Sequence, residues 1–134
     1  MYYSFIQHGA GFQGRAEIAK LLIAHGIPML DAHSDGYIPM HRACWGQEDR
    51  HTDTVRAFLE AGVPVRYKAE NGKTCWQMTK NKETKKLLKT YTAKLASKVQ
   101  EDLWAWKWLL KELMTNGKIC IFLKLLSLLY AIVP

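Results

Sequence analysis

The sequence predicts an all-α fold: a repeat module followed by a helical tail. Three observations lead there. His41 and Ala43 stand thirty-three residues after His8 and Ala10, and self-similarity near that period belongs to repeat architectures. Two apolar stripes at helical spacing, Ile18-Leu21-Leu22 and Val55-Phe58-Leu59, each run out into a glycine with a proline two residues later, Gly26-Pro28 and Gly62-Pro64. Glycine suits a left-handed helix cap, and proline prevents the helix from continuing. Residues 92–114 contain neither Pro nor Gly and are rich in helix formers.

Taken in order, residues 14–26 read as the second helix of a first repeat, whose front half, around residues 5–10, keeps only His8 and Ala10 of the pattern. The second repeat has a second helix over 52–61, with Thr52 placed to cap its start. Asp35-Gly36 and Asn71-Gly72 are turn dipeptides, because Gly tolerates positive φ without a Cβ clash. The third repeat opens with Asn71-Gly72-Lys73-Thr74-Cys75-Trp76, closes with Leu87-Leu88, and is shortened between its helices. The module thus spans 1–91, with repeats at 5–32, 33–69 and 70–91. The array starts part-way through a repeat.

The run Asp35-Gly36-Tyr37-Ile38-Pro39-Met40-His41-Arg42-Ala43, with the helix ending at Gly62, resembles the ankyrin repeat. The resemblance covers residues 1–91. It implies a helix-turn-helix solenoid with short hairpin loops, in which His8 and His41 brace the turns and His51 stands before the second helix. Departures are visible. Ile38 replaces the family's capping Thr, Cys75 replaces its Pro, and three extra residues fall within 45–50, since Gly26 to Gly62 spans thirty-six positions. The implied function is protein–protein recognition by hairpin tips and first helices, with an unidentified protein as partner. The variable contact positions map onto Ser34, Asp35, Tyr37, Trp45 and Gly46 in the second repeat, and onto Glu70, Asn71, Lys73, Asn81 and Lys82 in the third. Tyr37 and Trp45 are the expected anchors, since aromatics carry a large share of binding energy. For Trp45, packing beneath the three-residue insertion is an equal alternative.

Charge and chemistry narrow the function further. The net charge is +7, and residues 68–98 hold nine Lys against Glu70 and Glu83, a surplus equal to that of the whole chain. Such a row serves as a solvated face or meets an anionic partner. No Arg-rich or aromatic-interleaved pattern points to nucleic acid. Cys44, Cys75 and Cys120 are odd in number and far apart, and residues 1–6 have no signal-peptide pattern. They read as reduced thiols in an intracellular, cytoplasmic protein. No metal-ligand spacing, nucleophile motif or phosphate-binding loop appears, so neither an enzyme nor a cofactor is expected.

Three readings compete for the tail, 92–134. Leu95, Val99, Leu103, Trp106, Leu110 and Leu113 recur every three or four residues, with Trp104 and Trp108 read as widening that stripe. Asn116-Gly117 marks a break, and 119–133 is almost wholly apolar. The tail folds back to cover the last repeat, or lies as an interfacial helix on an anionic membrane surface with its Trp and Lys residues, or folds poorly alone because of where the chain is cut. The membrane-surface reading is the alternative to protein recognition.

Overall fold

The computed structural model describes residues 2–115, with side chains from residue 5 onward. Six α-helices and no strand occur among the described residues: α1 (Tyr2–Gln13), α2 (Ala16–Ala24), α3 (Pro39–Cys44), α4 (Asp49–Glu60), the single turn α5 (Cys75–Met78) and α6 (Lys82–Thr115). The all-α expectation holds. The chain falls into two units, Met1–Ala93 and Lys94–Pro134.

In the first unit α1 packs on α2 and α3 on α4, while α1 also packs on α3 and α2 on α4. The helix ends repeat at an interval of thirty-six. Gly26 N–H donates to Ile23 O at 2.9 Å and Ile27 N–H to Leu22 O at 3.1 Å; Gly62 N–H donates to Leu59 O and Val63 N–H to Phe58 O, both at 3.1 Å. Both glycines have positive φ, 72° and 91°, so these carbonyls are satisfied by backbone that a side chain would strain. The turns repeat as well: Gly36 N–H meets His33 O and Gly72 N–H meets Ala69 O, each at 2.8 Å. The core between these elements is formed by Ile38, Met40, Ala43, Val55, Phe58, Leu59, Val63 and Leu88, with Leu87 and Tyr91 packed against it.

Several expectations need correction. The helix expected over 52–61 is α4, and it starts at Asp49 rather than at Thr52. Asp49 in the first turn favours that start, because an acidic side chain suits the positive end of the helix. Thr52 is buried one turn inside, its Oγ1 sharing a 2.9 Å hydrogen bond with Thr84 Oγ1 and accepting from Asn81 Nδ2 at 3.3 Å. In α2 the buried residue is Ala19, while Ile18 and Leu21 are exposed. Cys44 and Cys75, expected as thiols, form a disulfide from α3 to α5 across a Cα–Cα distance of 5.7 Å. That pairing removes the cysteine-based ground for reading a compartment.

α6 runs unbroken from Lys82 to Thr115, with no Pro or Gly between them. Among the described residues Leu95, Val99, Leu103, Trp106 and Leu110 of the expected stripe are exposed. Nor do the other tryptophans widen it. At about 100° per residue, Trp104 and Trp108 project about 160° away from Trp106, on the other side of α6. The expected break at Asn116-Gly117 and the apolar run 119–133 lie outside the described residues. No described helix is long and apolar enough to cross a membrane.

Candidate partner-binding surface

The site grows from two histidine braces. His8 Nε2 lies 2.8 Å from Tyr37 O, and His41 Nε2 lies 3.1 Å from Tyr67 O. Each ring therefore ties a first helix to the turn that follows its hairpin. The His8 bond holds the backbone of Tyr37, so the side chains around 33–37 are presented on a fixed turn.

Tyr37, Arg42 and Trp45 then form one layered cluster. The Tyr37 and Trp45 rings meet edge to face, with centroids 5.0 Å apart at 71°. The Arg42 guanidinium lies 4.8 Å from the Trp45 ring centroid and 5.5 Å from that of Tyr37, a distance at which ring quadrupole and cation attract. Asp35 pairs with Arg42. Partial burial works to raise the Asp35 pKa, but the Arg42 hydrogen bond and charge outweigh it, with the Tyr37 N–H and His33 adding to them. Asp35 is thus held below the usual carboxylate range, and the pair stays ionised near neutrality. Trp45 remains 37% exposed. Its ring contacts are Tyr37 and Arg42, which place it at the surface cluster.

Other expected contact residues sort into two groups. Ser34 is exposed, and its Oγ lies 3.1 Å from His33 Nδ1. Asn71 belongs to the cluster: its Nδ2 donates to Tyr37 Oη at 2.8 Å while its Oδ1 accepts from Lys73 N–H at 3.0 Å. Glu70, Lys73 and Lys82 are exposed nearby in sequence, and Glu70 N–H donates to Gly36 O at 3.2 Å, joining successive turns. Asn81 does not belong to the surface. It is buried, accepts from Glu83 N–H at 2.9 Å and donates to Glu48 O at 3.5 Å. It caps the start of α6 and links it to α4. Gly46 is likewise structural: a Cβ there would collide with the His51 ring, which reaches Phe12 O at 3.1 Å through Nε2.

Arg42 and His33 were missed by sequence reasoning. Arg42 is visible in retrospect as the basic residue three before Trp45 on one short helix, a spacing that puts both on one face. Both residues also border an open hollow of about 240 Å³ lined by Phe5, His8, Gly9 and Phe12. The cluster and the hollow therefore form a continuous aromatic surface of α1, α3 and the turn between their hairpins. Farther along the chain Trp76 is exposed, with the Lys85 Nζ 5.9 Å from its ring centroid. Comparison of the sequence with protein-family models and with curated proteins found no match.

Proposed function

We propose that this chain is an ankyrin-type repeat module that binds a partner protein through the surface of its first helices and turn tips. One observation carries the reading: Tyr37, Arg42 and Trp45 are stacked and ion-paired in place beside the Phe5–Phe12 hollow, with Trp45 exposed and Tyr37 and Arg42 partly so. Aromatic and arginine side chains held rigid in this way lose little entropy on binding and anchor interfaces. The repeated helix ends and the two histidine braces support the repeat assignment. The contact set is Ser34, Asp35, Tyr37, Arg42, Trp45, Asn71 and Lys73, with Glu70 and Lys82 at its margin.

The test is affinity capture with the full chain, comparing the native sequence with Trp45→Ala, Arg42→Ala and a Lys86→Gln/Lys89→Gln control. A partner retained by the control and weakened at least tenfold by Trp45→Ala and Arg42→Ala, all with unchanged circular dichroism, supports the reading. Equal capture by all four proteins refutes it.

A second reading is attachment to an anionic membrane surface. Exposure of Trp104, Trp106 and Trp108 favours it, together with the Lys row of α6. Against it, the tryptophans project to both sides of the helix. Co-sedimentation of the full chain with phosphatidylserine vesicles, and its loss in Trp104→Ser/Trp108→Ser, distinguishes this reading from protein recognition.

A further inference from the structure

Cys44 and Cys75 tie together two elements that are anchored very differently. α3 buries Pro39, Met40, His41, Ala43 and Cys44, and packs against both α1 and α4. α5 is a single turn, and Cys75 is its one buried residue. Its hydrogen bonds are local. Gln77 N–H and Met78 N–H donate to Thr74 O at 3.0 and 3.2 Å, Thr79 N–H donates to Cys75 O at 3.0 Å, and Gln77 Oε1 accepts the Thr74 N–H at 2.9 Å. Among the described residues, two hydrogen bonds carry the stretch 70–78 across to the preceding turn: Glu70 N–H to Gly36 O at 3.2 Å and Asn71 Nδ2 to Tyr37 Oη at 2.8 Å. Each end of the disulfide also borders the aromatic cluster. Cys44 directly precedes Trp45, and the turn leading into Cys75 carries the Asn71 that holds Tyr37.

We infer that the Cys44–Cys75 pair is a redox switch that sets the order of residues 70–78 and, through Asn71, the seating of Tyr37. Oxidised, the bridge holds α5 on α3 across 5.7 Å between Cα atoms. Reduced, α5 keeps its local bonds but loses its covalent anchor, and the Asn71–Tyr37 bond goes with it. α1 to α4 remain packed, because the large core side chains Ile38, Met40, Val55 and Phe58 all come from α3, α4 and the residue before α3. The reductant is a dithiol. Its thiolate attacks Cys75 Sγ, a new S–S bond forms, the Cys44–Cys75 bond breaks, and Cys44 leaves as a thiolate that takes up a proton. The second thiolate of the reductant then displaces Cys75 from the mixed disulfide, and Cys75 is protonated in turn. Two electrons and two protons pass to the protein, and the reductant ends as a disulfide. Both cysteines are 0% exposed, so attack requires the turn to open. One turn with only local bonds opens at a lower cost than a helix packed along its length, which leaves the bridge reachable without unfolding of the module. The effect on recognition rests on the partner-binding reading above; the switch itself needs no partner.

The experiment uses the full chain with Cys120→Ser, so that a single cysteine pair remains. Equilibration in glutathione, from about 1 to about 20 mM reduced against about 0.01 mM oxidised, should carry the pair from mostly oxidised to mostly reduced, read by mass after thiol alkylation. In 1H–15N correlation spectra, reduction should move or broaden the signals of 70–78 and of Tyr37, and oxidised glutathione should restore them. The signals of α2 and α4 should keep their positions. Cys75→Ala should show the reduced pattern with and without reductant. In Asn71→Ala, reduction should still move 72–78 but leave Tyr37 where it is. None of these measurements involves a partner, so their failure is separate from failure of the capture experiment. A pair still oxidised at the highest reduced glutathione, as a purely structural bridge would be, overturns the inference. So does reduction that leaves 70–78 unmoved, or that collapses the signals of α2 and α4 as well.

Discussion

His41 and Tyr67 are joined side chain to backbone across twenty-six residues of chain, with Nε2 of the imidazole 3.1 Å from the carbonyl oxygen. On the other side of the ring, Nδ1 accepts the Ile38 N–H at 3.3 Å. Only the neutral tautomer with its proton on Nε2 makes both bonds, because a protonated Nδ1 becomes a donor facing a donor. The ring thus satisfies the N–H of the N-cap residue, one half of a capping box, while the Ile38 side chain, having no acceptor, cannot supply the other half.

This arrangement fixes the sign of a pH effect. Burial pushes the His41 pKa below its ordinary 6.5, and the Tyr67 carbonyl bond offsets that only in part. The unfolded chain therefore takes up a proton at higher pH than the folded chain does. Stability is fully present above the unfolded pKa and is lost as pH falls through it toward the folded pKa. Urea midpoints measured from pH 7.5 downward should decline from about 6.5. In His41→Gln the protein should be less stable at pH 7.5, and the decline between pH 7 and 5.5 should be shallower. An unchanged slope in the variant would exclude His41 as its source.

Gln7 presents the opposite situation, a buried polar group without compensation among the described residues. It is 1% exposed, and neither Nε2 nor Oε1 has a hydrogen-bond partner among them. Thirty-three positions later stands Met40, wholly buried and of similar volume and shape. Gln7→Met should therefore raise stability by about 1–2 kcal/mol, since each unsatisfied buried group costs about that much. Chemical denaturation of the two proteins checks it; a lower midpoint for the variant would mean that the amide is satisfied in solution.

The disulfide should contribute to the stability of the segment around α5. Cys44 and Cys75 close a loop of 31 residues between buried ends. Constraint of the unfolded chain by a loop of that length is worth about 3–4 kcal/mol. Reduction, or Cys75→Ala, should lower the unfolding free energy by that order. Thiol titration of the denatured, unreduced protein should find one reactive cysteine per chain, Cys120, rather than three.

What could be read in advance was local. Gly26, Gly36, Gly62 and Gly72 mark caps and turns because the demand for positive φ sits within two or three residues of each, and all four have it. Residues whose role depends on distant partners were not legible. Thr52 looks like a cap until Asn81 and Thr84 are brought to its hydroxyl from a different helix. Asn81 looks like a surface variable position until Glu48 and Thr52 close over it. Arg42 gains its place only when Asp35, Tyr37 and Trp45 converge. Spacing does put Cys44 and Cys75 on neighbouring first helices, but pairing them takes the 5.7 Å approach of α3 and α5, which periodicity does not measure. For the tail, spacing places Leu95 to Leu113 on one face of α6, with Trp104 and Trp108 on the other, and says nothing about whether anything lies against either.

Two glycines offer a matched test of the backbone argument. Gly62 has φ of 91° and no atom near the site of a Cβ, so a substitution there meets strain without any steric neighbour. Gly62→Val should cost about 1–3 kcal/mol, the β-branched side chain being least tolerant of positive φ. Gly9 lies inside α1 and is absent from the positive-φ residues, and a Cβ there also meets open space. Gly9→Ala should therefore stabilise the protein by about 0.5–1 kcal/mol, because alanine sacrifices less backbone freedom on entering a helix. The pair of midpoints, read in the same denaturant, should move in opposite directions. A Gly62→Val midpoint equal to the native one would show that the cap closes the helix without strain at that residue, and that the Gly-x-Pro ending of α4 is set by Pro64 alone.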